Sequence, residues 1–206
     1  IVLYCPSMTK LLTLIIVLLN LSSSQAESLD HYKILNHLDN YGNIYLRNKP
    51  YTSLPEDLIV KGNLNIAKTS IKQLPKGLEI GGNLDASNSN VSRISAGTKI
   101  KGFANFLGSE IQTWPRGVQV GGYLNFTETF LRSLPNALHV KGDLSVARTP
   151  LESLPNDLYV EGNLYIGGSN ITKFPAKLRV DGNIFLGGNN ITVWPSELRL
   201  GGVVAR

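Results

Sequence analysis

The chain has 206 residues, a formal net charge of +5, 42% hydrophobic residues and a single cysteine, Cys5. One cysteine provides neither a disulfide framework nor a thiolate metal site. The mild basic excess is accompanied by no nucleic-acid-binding motif, so nucleic acid is not an expected partner.

Residues 1–7 precede the first methionine, Met8, and are read as an upstream, non-native extension outside the fold. Residues 8–26 carry Lys10, an apolar run from Leu11 to Leu21, and a small-residue ending, Ser22-Ser-Ser-Gln-Ala26. That order predicts a secretory signal peptide cleaved after Ala26 and places the chain outside the cytoplasm: secreted, periplasmic or on the cell surface. The apolar run is short for a bilayer span, which needs about 17–25 residues, so no membrane span is expected in the mature chain. An uncleaved anchor is the competing reading.

Residues 27–40 predict a helical N-terminal cap. Leu29, Tyr32, Leu35 and Leu38 fall at helical spacing behind a Ser28 N-cap, and the helix would cover the open end of the first coil. Its polar face lacks the basic excess of a membrane-surface helix.

From 41 to 206 one pattern returns every 20 residues, as in Ser53 to Lys72, SLPEDLIVKGNLNIAKTSIK. A fixed period of this size marks a solenoid, whose units bury their apolar faces by stacking on one another. About eight repeats are present, the last incomplete. Gly42, Gly62, Gly82 and their successors to Gly202 mark one corner, where φ is positive or a Cβ has no room. Pro55, Pro75 and Pro115 to Pro195 mark a second. Between the corners, Leu58-x-Val60 and Leu64-x-Ile66 alternate as short strands do, followed by inward Ile71 and Leu74. The column Thr69, Ser89, Ser109, Thr129, Thr149, Ser169 and Asn189 places small hydrogen-bonding groups where a tight bend leaves backbone groups to be paired. In the third coil Thr98 and Ala104 replace core leucines, and Phe103 and Phe106 are expected to refill the volume.

Ile184-Phe-Leu186-Gly-Gly-Asn189-Asn-Ile191-Thr-Val-Trp194-Pro195 resembles the leucine-rich-repeat segment LxLxxNxLxxLP, with Trp194 in a leucine place. The likeness runs from about Asn43 to Arg206 and is greatest to the short LP-containing repeats of bacterial and phage proteins. It implies a β-rich repeat solenoid, a leucine-rich-repeat-like stack of short parallel strands. Here L-x-V-x-G-N replaces the family's leading LxxL, so a second strand takes the place of the usual convex segment, and a right-handed parallel β-helix is the alternative.

Catalysis on a solenoid requires reactive groups in matching columns of adjacent coils. His31 and His37 fall in the cap, His139 stands alone in an outward column, and Glu56, Asp57, Asp157 and Glu197 follow the prolines, where turn roles prevail. No catalytic, metal or cofactor site is expected. Lys61, Lys101 and Lys141 share one outward column, and Lys99, His139, Arg179 and Arg199 another; a solvated face is the first reading and a weak preference for anionic surfaces the second. Within the repeats, N-glycosylation patterns at Asn90, Asn125, Asn170 and Asn190 arise largely from the repeat itself.

The candidate contact surface is the outward column of the second strand: Tyr45, Asn65, Asp85, Asn105, Asn125, Ser145, Tyr165 and Phe185. In leucine-rich-repeat proteins this column lies on an exposed sheet face that binds partners. Tyr159 is expected to join Tyr165 and Phe185 in an aromatic patch. These residues point to non-catalytic recognition of a protein or glycan. The rivals are end-to-end self-association through the uncapped C-terminal coil, whose strands would be open edges, and a carbohydrate-active β-helix enzyme.

Overall fold

The computed structural model describes residues 27–206; the segments read from the sequence as an extension, 1–7, and as a signal peptide, 8–26, lie outside the described residues. No described helix is long and apolar enough to cross a membrane. The described chain is a parallel β-solenoid in which each coil contributes short segments to three faces.

The first face carries strands of the Ile59–Val60 type, where the sequence departs from the leucine-rich-repeat pattern. The second is a continuous sheet of 9 strands running from Ile44–Tyr45 to Val204–Ala205. The third is not expected from the repeat pattern. It is built at Gln73–Leu74 and Arg93–Ile94 and continues as single bridges, Thr113 with Ser133 and Ser153 with Lys173. In the stacked sheets the strand pairs are parallel with partners one period apart, such as Leu64 with Leu84 and Asn65 with Asp85. This register stacks like on like, so each inward column becomes a continuous apolar row. In one coil Leu58, Val60, Leu64, Ile66, Ile71 and Leu74 are all buried, and full burial of such a side chain stabilises by roughly 1.5–3 kcal/mol. Two-residue strands are marginal alone, so this interior and the lateral pairing with the next coil hold each one in place.

Backbone corners complete the coil. Lys68, Asn88, Glu128 and Arg148 take positive φ at one corner, Asp57, Ala137 and Asp157 at another. The period-marking glycines mostly answer a different need: at Gly62 and Gly82 a Cβ would run into the side-chain oxygen of Asn43 and Asn63 on the preceding coil. These asparagines form a ladder, Asn63 N–H donating to Asn43 Oδ1 at 2.7 Å and Asn83 N–H to Asn63 Oδ1 at 2.7 Å. Where the ladder lapses, Phe103 and Tyr123 stack with centroids 4.4 Å apart.

The hydroxyl column pairs with its own bend as expected: Thr69, Ser89, Thr129 and Thr149 each donate to the carbonyl three residues earlier at 2.7 Å. In the third coil Phe106 enters the core, stacked on Phe126 at 5.8 Å and edge-on to Trp114 at 5.7 Å. Phe103 instead stacks outside the core on Tyr123 and does none of the refilling.

The N-terminal cap differs from the expected helix over Ser28 to Leu38. Ser28 lies in a strand, Glu27–Ser28, that pairs with Tyr51–Ser53. A 3₁₀ turn, Lys33–His37, comes next, started by Asp30 Oδ1 accepting from Tyr32 N–H at 2.9 Å and Lys33 N–H at 2.8 Å. Leu29 and Ile34 cover the first coil, whereas Tyr32, Leu35 and Leu38 remain exposed. At the other end Trp194, Leu198 and Val203 of the last coil are exposed.

Candidate functional site

The nine-stranded sheet gathers Tyr45, Asn65, Asp85, Asn105, Asn125, Ser145, Tyr165 and Phe185 into one outward row. Their chemistry differs along it. From Asn65 to Asn125 the row is bonded to itself: Asn65 Oδ1 accepts from Ala67 N–H at 3.0 Å and Asn125 Oδ1 from Thr127 N–H at 3.0 Å. Asn125 Nδ2 donates to Asn105 Oδ1 at 3.0 Å, and amides from Asn65 and Asn105 reach the Asp85 carboxylate at 3.4 and 3.3 Å. Ser145 Oγ bonds Thr127 Oγ1 at 2.7 Å. Most of the polar capacity expected for a partner is therefore taken up in closing bends and joining coils.

The aromatic members are different. Tyr165 and Phe185 stack at 4.7 Å with only 3° between their planes. In-register neighbours on adjacent parallel strands impose that geometry. Beside them Gly167 and Gly187 approach so closely that a Cβ on Gly167 would lie 3.0 Å from Gly187 Cα. The pair thus stands on a flat, partly exposed platform. Tyr45 is exposed at the opposite end of the sheet.

Tyr159 does not join this patch. It sits in Leu158–Val160, a strand of the first face, and stacks on His139 at 4.5 Å. The guanidinium of Arg179 lies 4.1 Å above its ring centroid. Tyr159 Oη donates to Asp181 Oδ2 at 2.7 Å, and Arg179 Nε donates to Asp181 Oδ1 at 2.9 Å. The hydrogen bond to Asp181 raises the Tyr159 phenol above its ordinary value. Bonds from Arg179 and Tyr159 hold the Asp181 carboxyl below its own. An outward side chain belongs to whichever sheet its two-residue strand enters, so neighbours by number are separated by the corner between Val160 and Leu164.

The first face contains a feature that no column of the repeat announces. It is two sheets of 4 strands, one ending at Gln119–Val120 and the other beginning at His139–Val140. Val118 and Val120, in columns that are buried in most other coils, are only partly buried there. Trp114 lines the cleft at this break and meets Phe126 edge-on, centroids 5.1 Å apart. A cleft of about 840 Å³ runs along this face, and Lys61, Lys101, Arg116 and Lys141 line it. Among the described residues Glu79 is its one acidic lining residue and is already bonded by Lys99 Nζ at 2.7 Å, which holds its carboxyl below the ordinary value.

Among the described residues no group of three or more His, Cys, Asp or Glu is placed to hold a metal ion. His139 Nε2 bonds Glu161 Oε1 at 2.7 Å, beside the Tyr159–Asp181–Arg179 group. Comparison with protein families, with curated proteins and with solved structures finds no match. The class defined by the described residues is a parallel β-solenoid that carries an aromatic platform at Tyr165 and Phe185 and a basic cleft on its first face.

Proposed function

We propose that this chain is a non-catalytic binding protein, secreted or surface-exposed, that recognises a protein or glycan partner through the C-terminal part of its nine-stranded sheet. The observation that supports this most is the stacked Tyr165–Phe185 pair. Aromatic rings held flat on a rigid sheet offer a large contact area at little entropic cost on binding, and they suit the apolar face of a sugar or a peptide side chain. The reading narrows the surface suggested by the sequence, because the Asn65–Asn125 section is bonded to itself and Tyr159 faces elsewhere. Secretion rests on the basic, apolar and small-residue order of residues 8–26.

The test is a screen of the purified chain on a glycan array and a displayed peptide library, beside the double variant Y165A/F185A. Ligands bound by the wild type are expected to lose at least about tenfold in affinity in the variant, the scale of hot-spot truncations, with the thermal midpoint little changed. Ligands bound equally by both would sink the assignment of the face. Shortening of a bound glycan during incubation would sink the non-catalytic reading.

A further inference from the structure

We propose that the basic cleft on the first face binds a linear anionic polysaccharide, in which charged sugars alternate with neutral ones, lying along the solenoid axis. The proposal takes up the binding reading above and adds a second surface with a stated ligand class.

Three observations carry it. The first is the row Lys61, Gly81, Lys101, Gly121, Lys141, one residue per coil, all lining the cleft. Parallel strands are about 4.8 Å apart, so Lys61 and Lys101 stand about 10 Å apart along the axis, and Lys141 comes at no less beyond them. That interval is comparable with the length of two extended pyranose rings. The glycines between are held free of side chains by sterics: a Cβ on Gly81 would collide with Lys61 O, and one on Gly121 with Lys101 O. The row is a charge, a flat step and a charge in turn. The second is electrostatic: among the described residues Lys61, Lys101 and Lys141 form no ion pair, and Arg116 adds to the excess. A cleft lined by one sign of charge concentrates ligands of the other. The third is the sheet break, where Gln119–Val120 and His139–Val140 each pair with a described strand on one side only. Their free edges offer N–H and C=O groups to sugar hydroxyls.

Direction and spacing separate this ligand from the other polyanions. An acidic peptide added to either free edge would run parallel to the strands, across the lysine row, and would meet one lysine. A nucleic acid, single or double, carries a phosphate at every nucleotide, about every 3.4 Å along each strand of a duplex, and so has no neutral unit to set over the glycine steps between the lysines.

The experiment is calorimetric titration of the chain at low salt with octasaccharides of hyaluronan and chondroitin, a neutral chitooligosaccharide and a short oligothymidylate. An acidic octasaccharide is expected to bind, more weakly as salt screens the charges, and more tightly than the neutral glycan or the oligothymidylate. The variant K61Q/K101Q/K141Q should bind it at least about tenfold more weakly. K49Q/K72Q/K173Q, which removes equal charge elsewhere, should bind as the wild type does, and thermal midpoints show that both fold. No binding of either acidic octasaccharide, equal loss in both triple variants, or binding of the oligothymidylate as tight as that of the saccharide would overturn the proposal. Y165A/F185A should bind the octasaccharide normally, so failure here leaves the aromatic platform to be judged by its own screen.

Discussion

Ser109 shows how much a position in a ladder depends on the rotamer adopted there. Its neighbours in the column, Ser89 and Thr129, donate to the carbonyls of Ala86 and Phe126 at 2.7 Å, while the buried Ser109 Oγ has no partner among the described residues. An unpaired buried hydroxyl costs about 1–3 kcal/mol, whereas a paired one contributes on the order of 1 kcal/mol. Ser109→Ala is therefore expected to leave stability unchanged or raise it, and Ser89→Ala to lower it by about 1 kcal/mol. Urea denaturation of the two variants checks this, and an equal loss in both would refute it. The sequence makes the column's purpose legible, since small hydroxyls at a fixed bend have little else to do. It does not reveal which member is unpaired, because that turns on a side-chain torsion and not on residue type. The Gly-Asn dipeptide repeating from Gly42-Asn43 onward is a comparable signal whose meaning emerges only in three dimensions. Its asparagine bonds the next coil's backbone and its glycine makes room for the previous coil's asparagine.

At the scale of elements, the N-terminal cap departs furthest from its pattern. Leu29, Tyr32, Leu35 and Leu38 have helical spacing, yet Ser28 pairs with Ser53 instead of starting a helix. A short isolated helix is marginal, and the exposed edge of the first coil competes for the same residues. The substitute for the helix is polar: Asp39 begins the asparagine ladder, accepting from Asn43 N–H at 2.8 Å, Asn43 Nδ2 at 2.8 Å and Tyr41 N–H at 2.9 Å. The side-chain bond from Asn43, with the backbone donors, holds the Asp39 carboxyl below its ordinary value. The folded cap thus favours the ionised form. Its contribution is complete above about pH 4, where an unfolded aspartate is ionised, and is lost as pH falls through the lowered folded value. Asp39→Asn should flatten the fall in stability across that acid range while lowering stability at neutral pH. Chemical denaturation of wild type and variant at a series of acid pH values measures it, and parallel curves would exclude Asp39 as the group responsible.

For the whole molecule, the period, the parallel stacking and the inward columns are legible because every coil repeats them and a register of one period forces like onto like. The third face is not, since Ile71 and Leu74 lack the alternation of a strand. The break in the first face is not either: Val118 and Val120 are ordinary members of their columns, and the break is seen only in the structure, where they line one cleft with Trp114. This break makes the junction between the coils of Gln119 and His139 asymmetric. On the second face it is closed, with Leu124 N–H donating to Asp143 O at 2.9 Å and Phe126 N–H to Ser145 O at 2.8 Å. On the first face Gln119–Val120 and His139–Val140 do not pair, whereas one coil further on Tyr159 N–H donates to Leu138 O at 3.0 Å and Glu161 N–H to Val140 O at 2.9 Å. Because each coil touches only its neighbours, stability in such an array is close to a sum of local terms, and a half-open junction is where opening should begin. In native-state hydrogen exchange the amides of His139 and Lys141 are expected to exchange at least about tenfold faster than those of Tyr159 and Glu161, with Leu124 and Phe126 protected across the same junction. Equal protection of the two pairs would mean that the first face is closed in solution. Fast exchange at Leu124 and Phe126 as well would mean that the two halves part as separate units. A saturating acidic octasaccharide that bridges Lys101 and Lys141 should slow exchange at His139 and Lys141 selectively, since its hydroxyls would cover the N–H groups left free at the break. That link ties the architecture of the break to the ligand proposed for it.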